Sequence, residues 1–304
     1  MKAAVLHEIG GALDLEDVPE PEAGDGQSLV EVRAAGINFA DVLIRSGNYP
    51  QPPELPTILG NEVAGDLDGR RVLAFVRDNG GGYSERVVVD DEWVFDLPDG
   101  ASYAEGASFL TTFLTAWIPF TRQAHIGPGT HVLVTAAAGG VGTAAIQLAR
   151  HLGARVTAAS GSAQKHELAQ KLGAERTVGY DEIATLADVD VALDTVGGLV
   201  FSACLASLRP LGVAIGIGFV GGAWEPVDPA RLLGRNVGVL GFYLGRLMRF
   251  QPEVVHEAIG ELLALWRDGA IRPVVGAEFP LADAVAAHEL IGSRRSTGKV
   301  VLVP

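Results

Sequence analysis

Residues 132–149 read VLVTAAAGGVGTAAIQLA, a run without a formal charge and with glycines at its centre. Few structures accept such a run. A membrane-spanning helix needs about 20 predominantly apolar residues, and Gly139, Gly140 and Gly142 would weaken it in the middle. A buried strand, a tight turn and a helix suit it better. His131 to Thr135 then forms the strand, Ala136 to Gly142 the turn, and Gly140 to Leu152 the helix. Gly153 follows where a left-handed cap is wanted. This order is that of a dinucleotide-binding turn. Read as G-x-G-x-x-G, Ala137 stands first, Gly139 third and Gly142 sixth. Gly139 lets the backbone approach a pyrophosphate, and Gly142 lets the helix pack close to the strand. Gly140 and Val141 open the helix, whose free N–H groups and positive dipole end face the phosphates. A tight structural turn would use the same glycines; the flanking strand and helix favour the binding turn.

Strands and helices alternate downstream of Gly129. Arg155 to Ala159, Thr177-Val178, Val189 to Leu193, Gly212 to Ile217 and Val237 to Phe242 read as further strands. Ser162 to Leu172, with Ser162 as N-cap and Gly173 as stop, and Val200 to Leu208 read as helices. Units of about 20–30 residues in this order predict a parallel, doubly wound sheet. The first 115 residues differ. Ala3 to Leu6, Ser28 to Arg33 and Tyr83 to Val89 are short strand candidates, and Asn79 to Gly82 is a turn. Near the other end, Pro252 to Asp268 and Asp283 to Ile291 read as helices, and Val274 to Phe279 and Lys299 to Val303 as strands. The expected architecture is α/β. A Rossmann-type domain, 116–245, is inserted into a β-rich domain built from 1–115 and 246–304, with ligand in the cleft between them.

Composition narrows the function. The 304 residues carry 37 acidic and 23 basic side chains, a net charge of −14. That balance argues against gripping nucleic-acid phosphates or an anionic membrane. The lone cysteine, Cys204, excludes an intramolecular disulfide and a four-thiolate zinc site. Ala3 to Leu6 is too short for a signal-peptide core, and the expected compartment is the cytoplasm.

The end of the second strand speaks to the choice of dinucleotide. An NAD site places Asp or Glu about 20 residues past the glycines, on the ribose 2′-hydroxyl. Here the stretch is Ala158-Ala159-Ser160-Gly161-Ser162, with no acid from His151 to His166. Ser160 can donate to a 2′-phosphate and Lys165 can pair with it, which predicts NADPH. Lys165 equally suits a solvated helix face. Tyr180 suits either an adenine stack or a half-buried position after the third strand.

Several separate segments carry a resemblance. They are Gly36-Ile37-Asn38-Phe39-Ala40-Asp41, Arg45-Ser46-Gly47-Asn48-Tyr49-Pro50, Leu59-Gly60-Asn61-Glu62-Val63-Ala64-Gly65, the Ala136–Gly142 turn, Gly161-Ser162-Ala163-Gln164-Lys165, Asp194-Thr195-Val196-Gly197-Gly198 and Gly298-Lys299-Val300-Val301. In this order they make the chain similar to the zinc-independent quinone oxidoreductase branch of the medium-chain dehydrogenase/reductase superfamily. The resemblance implies a Rossmann domain inserted into a GroES-like catalytic domain. It also implies NADPH-dependent hydride transfer to a quinone or other α,β-unsaturated carbonyl. By position, Asn38 faces nicotinamide and substrate, Tyr49 lies along the substrate channel, and Lys165 and Tyr180 hold the adenosine end. Gly216 to Phe219 and Phe242-Tyr243-Leu244 flank the nicotinamide. A homodimer is implied as well, and an apolar strand at the sheet edge would invite it.

In zinc alcohol dehydrogenases of the same superfamily, the positions of Asn38 and Asn61 are a cysteine and a histidine ligand. Asparagine is a poor zinc ligand, so no metal is expected, and Glu62 reads as structural. The seven histidines show no paired ligand spacing. Two departures from the family stand out. Only Asp66 to Arg70 separates Ala64-Gly65 from Arg71-Val72, which should trim an outer hairpin. Leu43 replaces a tyrosine found in some quinone reductases. Asn38 and Tyr49 are the candidate donors to the carbonyl oxygen, although Asn38 also suits an N-cap for a helix from Phe39. Two other readings stay open. Enoyl-thioester reduction would use Arg231, Arg235, Arg246 and Arg249 as a basic patch, and an NADPH sensor would bind without turnover.

Overall fold

The computed structural model describes residues 1–76, 80–222 and 225–304. Asn79 of the expected turn lies outside them. The chain forms two compact units, Met1–Thr111 with Pro273–Pro304, and Thr112–Arg272. Among the described residues, no helix is long and apolar enough to cross a membrane.

The second unit holds a six-stranded parallel sheet. In chain order its strands are His131–Val134, Arg155–Ala159, Arg176–Val178, Val189–Asp194, Leu208–Gly216 and Gly238–Gly241, and across the sheet they run 3-2-1-4-5-6. The sheet is parallel and doubly wound, as expected, and this order puts its switch point between the first and fourth strands. The inner strands are buried on both faces, which explains their continuous apolar runs. The core contains Leu133, Ala159, Val178, Phe201, Cys204 and Ala214. Residues 246–272, grouped with the chain ends on sequence texture, pack in this unit. The reason is the helix Pro252–Arg267, whose Glu261 accepts from Trp117 Nε1 at 2.5 Å and Arg122 Nη2 at 2.8 Å.

The first unit is built on a mixed sheet. Its path runs Val275–Pro280, Lys299–Val303, Gln27–Ile37, Glu62–Leu67, Arg70–Phe75 and Val94–Asp96, and Arg86–Asp90 also pairs with Gln27–Ile37. Leu67 pairs with Arg70, so Asp68-Gly69 forms a two-residue hairpin turn with φ 49° and 78°. Asp-Gly is favoured in such turns, and the short 66–70 connection closes directly. The strand expected from Tyr83 begins instead at Arg86. Tyr83 is wholly buried, with its hydroxyl 3.1 Å from Asp41 Oδ2.

Register sets up the polar centre of this unit. Val300 faces Ile37, and Ala35 faces Val63. Antiparallel pairing then brings Lys299, Asn38 and Asn61-Glu62 to the same end of three neighbouring strands, although their positions in the chain are far apart.

Candidate functional site

In the second unit, the glycine turn lies at the carboxyl end of the first parallel strand, where such sheets place their ligands. Ala136 adopts φ 43°, and its carbonyl accepts the Gly139 N–H at 2.8 Å. The helix Gly140–His151 follows with Gly139 as its N-cap. No side chain caps it, so its first N–H groups are available to an anion. At the fourth strand, buried Asp194 accepts from Thr135 Oγ1 at 2.6 Å and from the Val196 and Gly197 N–H groups at 3.1 and 2.8 Å. Burial raises its carboxyl above the usual range, and these three donors oppose the shift. The loop is thereby tied to the turn across the switch point.

The end of the second strand is acid-free and donor-rich. Ser160 Oγ is buried without a protein partner among the described residues. Lys165 is half-buried on the next helix, Ala163–Lys171, capped by Ser162. Burial lowers its pKa, and an anion beside it would favour the charged form. Tyr180 approaches this strand end, its Cε2 3.8 Å from where a Cβ on Gly161 would stand. Together with the open helix start, these groups fit a phosphorylated dinucleotide. Gly216 ends the fifth strand, and its carbonyl accepts the Phe242 N–H at 3.1 Å. Gly216, Phe219, Phe242, Tyr243 and Leu244 thus cluster at the carboxyl ends of the last two strands. Thr195, which sequence reasoning left without a role, has a buried Oγ1 with no protein partner among the described residues.

Of the four candidate arginines, Arg235 is committed to the carbonyls of Leu205, Ala206 and Leu208 at 2.8–3.0 Å. Arg246 and Arg249 lie over the Phe250 ring.

In the first unit, Asn38 lies in a buried polar network. Its Nδ2 donates to Asn61 Oδ1 at 2.9 Å and Glu62 Oε1 at 3.1 Å, with Thr111 Oγ1 at 3.5 Å. Its Oδ1 accepts from Lys299 Nζ at 2.6 Å, and the ammonium is also paired with Glu62. Glu62 Oε2 accepts the Thr111 N–H at 3.1 Å. Asn38 does precede the helix Phe39–Arg45, but its side chain makes no cap bond. Instead Asp41 accepts the Asn38 N–H at 2.7 Å. Tyr49 is half-buried after that helix, and Leu43 lies on it, also half-buried. Two amides bonded to each other, with an ammonium on one of them, offer neither thiolate nor imidazole to a zinc ion. Among the described residues, one group of His and acidic side chains is close enough for a metal: His7, Asp14 and Glu16, largely exposed, with His7 Nε2 2.6 Å from Glu16 Oε1.

Burial raises the Asp41 carboxyl to about 6, against the Asn38 N–H, the Lys299 charge and the Tyr83 hydroxyl, while Glu62 adds to the rise. His288 Nε2 lies 3.2 Å from the Tyr83 hydroxyl, and burial, aided by Arg45, lowers the imidazole to about 3. A raised carboxyl keeps in the folded state a proton that the unfolded chain releases near the ordinary value of 3.8. The stability it contributes is full below that value and is lost as pH rises through about 6. Wild type should therefore gain on Asp41→Asn as pH falls from 7 to 4, by at most about 1.4 kcal/mol per pH unit. Urea denaturation of both proteins at the two pH values measures this, and His288 cancels in the comparison. A pH-independent difference would refute the raised carboxyl.

Comparison with known proteins adds the family. Residues 140–262 match the zinc-binding dehydrogenase family and residues 24–71 the alcohol dehydrogenase GroES-like domain. Quinone oxidoreductase-like protein 2 homolog of Nematostella vectensis is 33% identical over 99% of this chain and 88% of that protein. The quinone oxidoreductase of Thermus thermophilus, solved also in complex with NADPH, is 43% identical, with a TM-score of 0.92 and 100% of both chains covered. A mycobacterial protein solved with NADPH is 32% identical, with a TM-score of 0.92 over 100% of both chains.

Proposed function

We propose that this chain, which belongs to the quinone oxidoreductase branch of the medium-chain dehydrogenase/reductase superfamily, is an NADPH-dependent reductase of quinones or other α,β-unsaturated carbonyls that works without zinc. The observation that carries the cofactor reading is the acid-free second-strand end, where the buried Ser160 hydroxyl has no protein partner among the described residues and half-buried Lys165 lies on the next helix. When bound, the reduced nicotinamide supplies the hydride. The chain's own part is to bind, orient and stabilise charge. The N–H groups of Gly140, Val141 and Gly142 take the pyrophosphate. Ser160 and Lys165 hold the 2′-phosphate, and Tyr180 stacks on adenine. Gly216, Phe219, Phe242, Tyr243 and Leu244 flank the nicotinamide. Asn38 and Tyr49 belong to the substrate region. A proton from water completes the reduction.

The test is NADPH oxidation against quinones, enones, enals and enoyl thioesters, with metal analysis before and after chelation. NADPH binding without oxidation of any of these would sink the reading in favour of a sensor. Stoichiometric zinc whose removal abolishes activity would sink its zinc-free part. Lys165→Ala provides a sharper check on the cofactor. A charge-assisted hydrogen bond contributes about 1.5–3 kcal/mol. The variant should bind NADPH about 10- to 100-fold more weakly, with NADH affinity nearly unchanged, as titration of both cofactors will show. Equal wild-type affinity for the two would count against the preference.

We further propose a homodimer. The strand Gly238–Gly241 ends the parallel sheet with Val239 37% exposed, and Leu211, Leu233 and Phe250 are also exposed in this unit. A two-fold pairing of this edge with its copy would cover it.

A further inference from the structure

Charge dictates the amide orientations around Asn38. An ammonium only donates hydrogen bonds, and a carboxylate only accepts them. The Asn38 atom 2.6 Å from Lys299 Nζ is therefore Oδ1, and the atom 3.1 Å from Glu62 Oε1 is Nδ2. Nδ2 has two hydrogens. One goes to Glu62, and the other meets Asn61 at 2.9 Å, so Asn61 must present its oxygen there. The Asn61 NH2 group is then turned away from Asn38. Among the described residues, no protein group accepts from it. Asn38, Glu62 and Lys299 are buried, at 8%, 1% and 4% exposure, whereas Asn61 is half-buried. The network thus spends every donor of Asn38 internally and leaves one oriented amide donor at its rim.

We propose that Asn61 donates the hydrogen bond to the carbonyl oxygen of the hydride acceptor, and that Asn38 is a positioning residue holding the Asn61 amide in place. This rests on the carbonyl-reductase reading above. When a hydride adds to an enone or quinone, its two electrons move negative charge onto that oxygen, and a proton from water completes the addition. A donor fixed in advance stabilises this charge without reorganising at the moment of reaction. Asn38 could serve only by leaving Glu62 or Asn61 unsatisfied. Lys299 acts at one remove, because its charge decides which way the Asn38 amide faces.

The test measures kcat, NADPH affinity and oxyanion binding on the same preparations. Asn61→Ala should lower kcat about 100-fold and leave NADPH affinity within about threefold. Asn61→Asp keeps the size and the acceptor for Asn38, replaces the donor with a carboxylate oxygen, and should lose at least as much. Asn38→Ala should lower kcat about tenfold in the wild-type background but less than about twofold in Asn61→Ala, because its effect passes through Asn61. A merely structural Asn38 would cost the same in both backgrounds. Binding of 4-nitrophenolate to the NADP+-saturated protein, followed by difference absorbance, reports the donor without turnover. Wild type should bind it at least about tenfold more tightly than Asn61→Ala. If wild type reduces no carbonyl acceptor yet shows this difference, the reductase reading fails and the donor assignment stands. Near-wild-type kcat in both Asn61 variants, or equal or absent 4-nitrophenolate binding in wild type and Asn61→Ala, overturns the assignment.

Discussion

Lys299→Met should destabilise the protein by about 3–5 kcal/mol, the cost of removing one partner of a buried ion pair. The Lys299 and Glu62 side chains are only 5% and 1% exposed. Methionine follows the lysine chain as far as Cε and leaves the Glu62 carboxylate without a cation. Glu62 keeps the Asn38 amide and the Thr111 N–H, each at 3.1 Å. Those bonds place the loss toward the lower end of the range. Removing both charges in Lys299→Met/Glu62→Gln should recover most of it, since an apolar or neutral replacement of a whole buried pair is often harmless. Urea unfolding of the three proteins at neutral pH measures both effects. A loss below about 1 kcal/mol in the single variant, or a double variant no better than the single, would show that the pair is not the electrostatic centre of this unit.

That pair also marks the limit of what the sequence discloses. The doubly wound sheet is legible because its strands are short apolar runs bounded by glycines, with amphipathic helices between them. The helix Gly140–His151 and the Ser162 cap fall almost where local rules put them. The fifth strand is less so. The strand expected from Gly212 begins already at Leu208 and runs to Gly216 through Pro210, with a register shift between Val189 and Val191 and Leu211 at φ 69°. An irregularity absorbs residues that propensity alone rejects. The helices Pro229–Arg235 and Leu244–Phe250 are too short for a clear period, and Leu110–Ile118 carries no charged residue to mark a solvent face. Asn38, Asn61, Glu62 and Lys299 are each visible as motif letters, but Lys299 and Asn38 are separated by 261 positions. Only strand register joins them, and only their joining decides which amide atom faces which charge. One signal was available: Lys299 opens an otherwise apolar strand, KVVLV, and a lysine buried there requires an anion.

Gly142→Ala should cut NADPH affinity by about 100-fold or more, roughly 2.8 kcal/mol, and destabilise the free protein by about 1–3 kcal/mol. A Cβ at this position would stand 2.4 Å from the Ala136 carbonyl oxygen, 2.7 Å from Ala137 Cα and 2.8 Å from Ala137 C. All three are backbone atoms, so the obstruction cannot be relieved by a rotamer change. Either the helix moves off the strand or the turn deforms, and the turn already holds Ala136 at φ 43°. Both responses displace the N–H groups that would meet the pyrophosphate. Gly139→Ala provides the contrast. Its φ of −80° suits any L residue, and the nearest atom to its Cβ is the Ala136 oxygen at 3.2 Å. That variant should fold almost as well as wild type and still bind the cofactor weakly, because the added methyl occupies the space reserved for close approach of the phosphates. Calorimetric titration with NADPH and thermal melts of the free proteins separate the two roles. If Gly139→Ala bound normally, the turn would be a structural device and the nucleotide would have to be held elsewhere. If Gly142→Ala melted and bound like wild type, the close packing of helix on strand would not govern the turn.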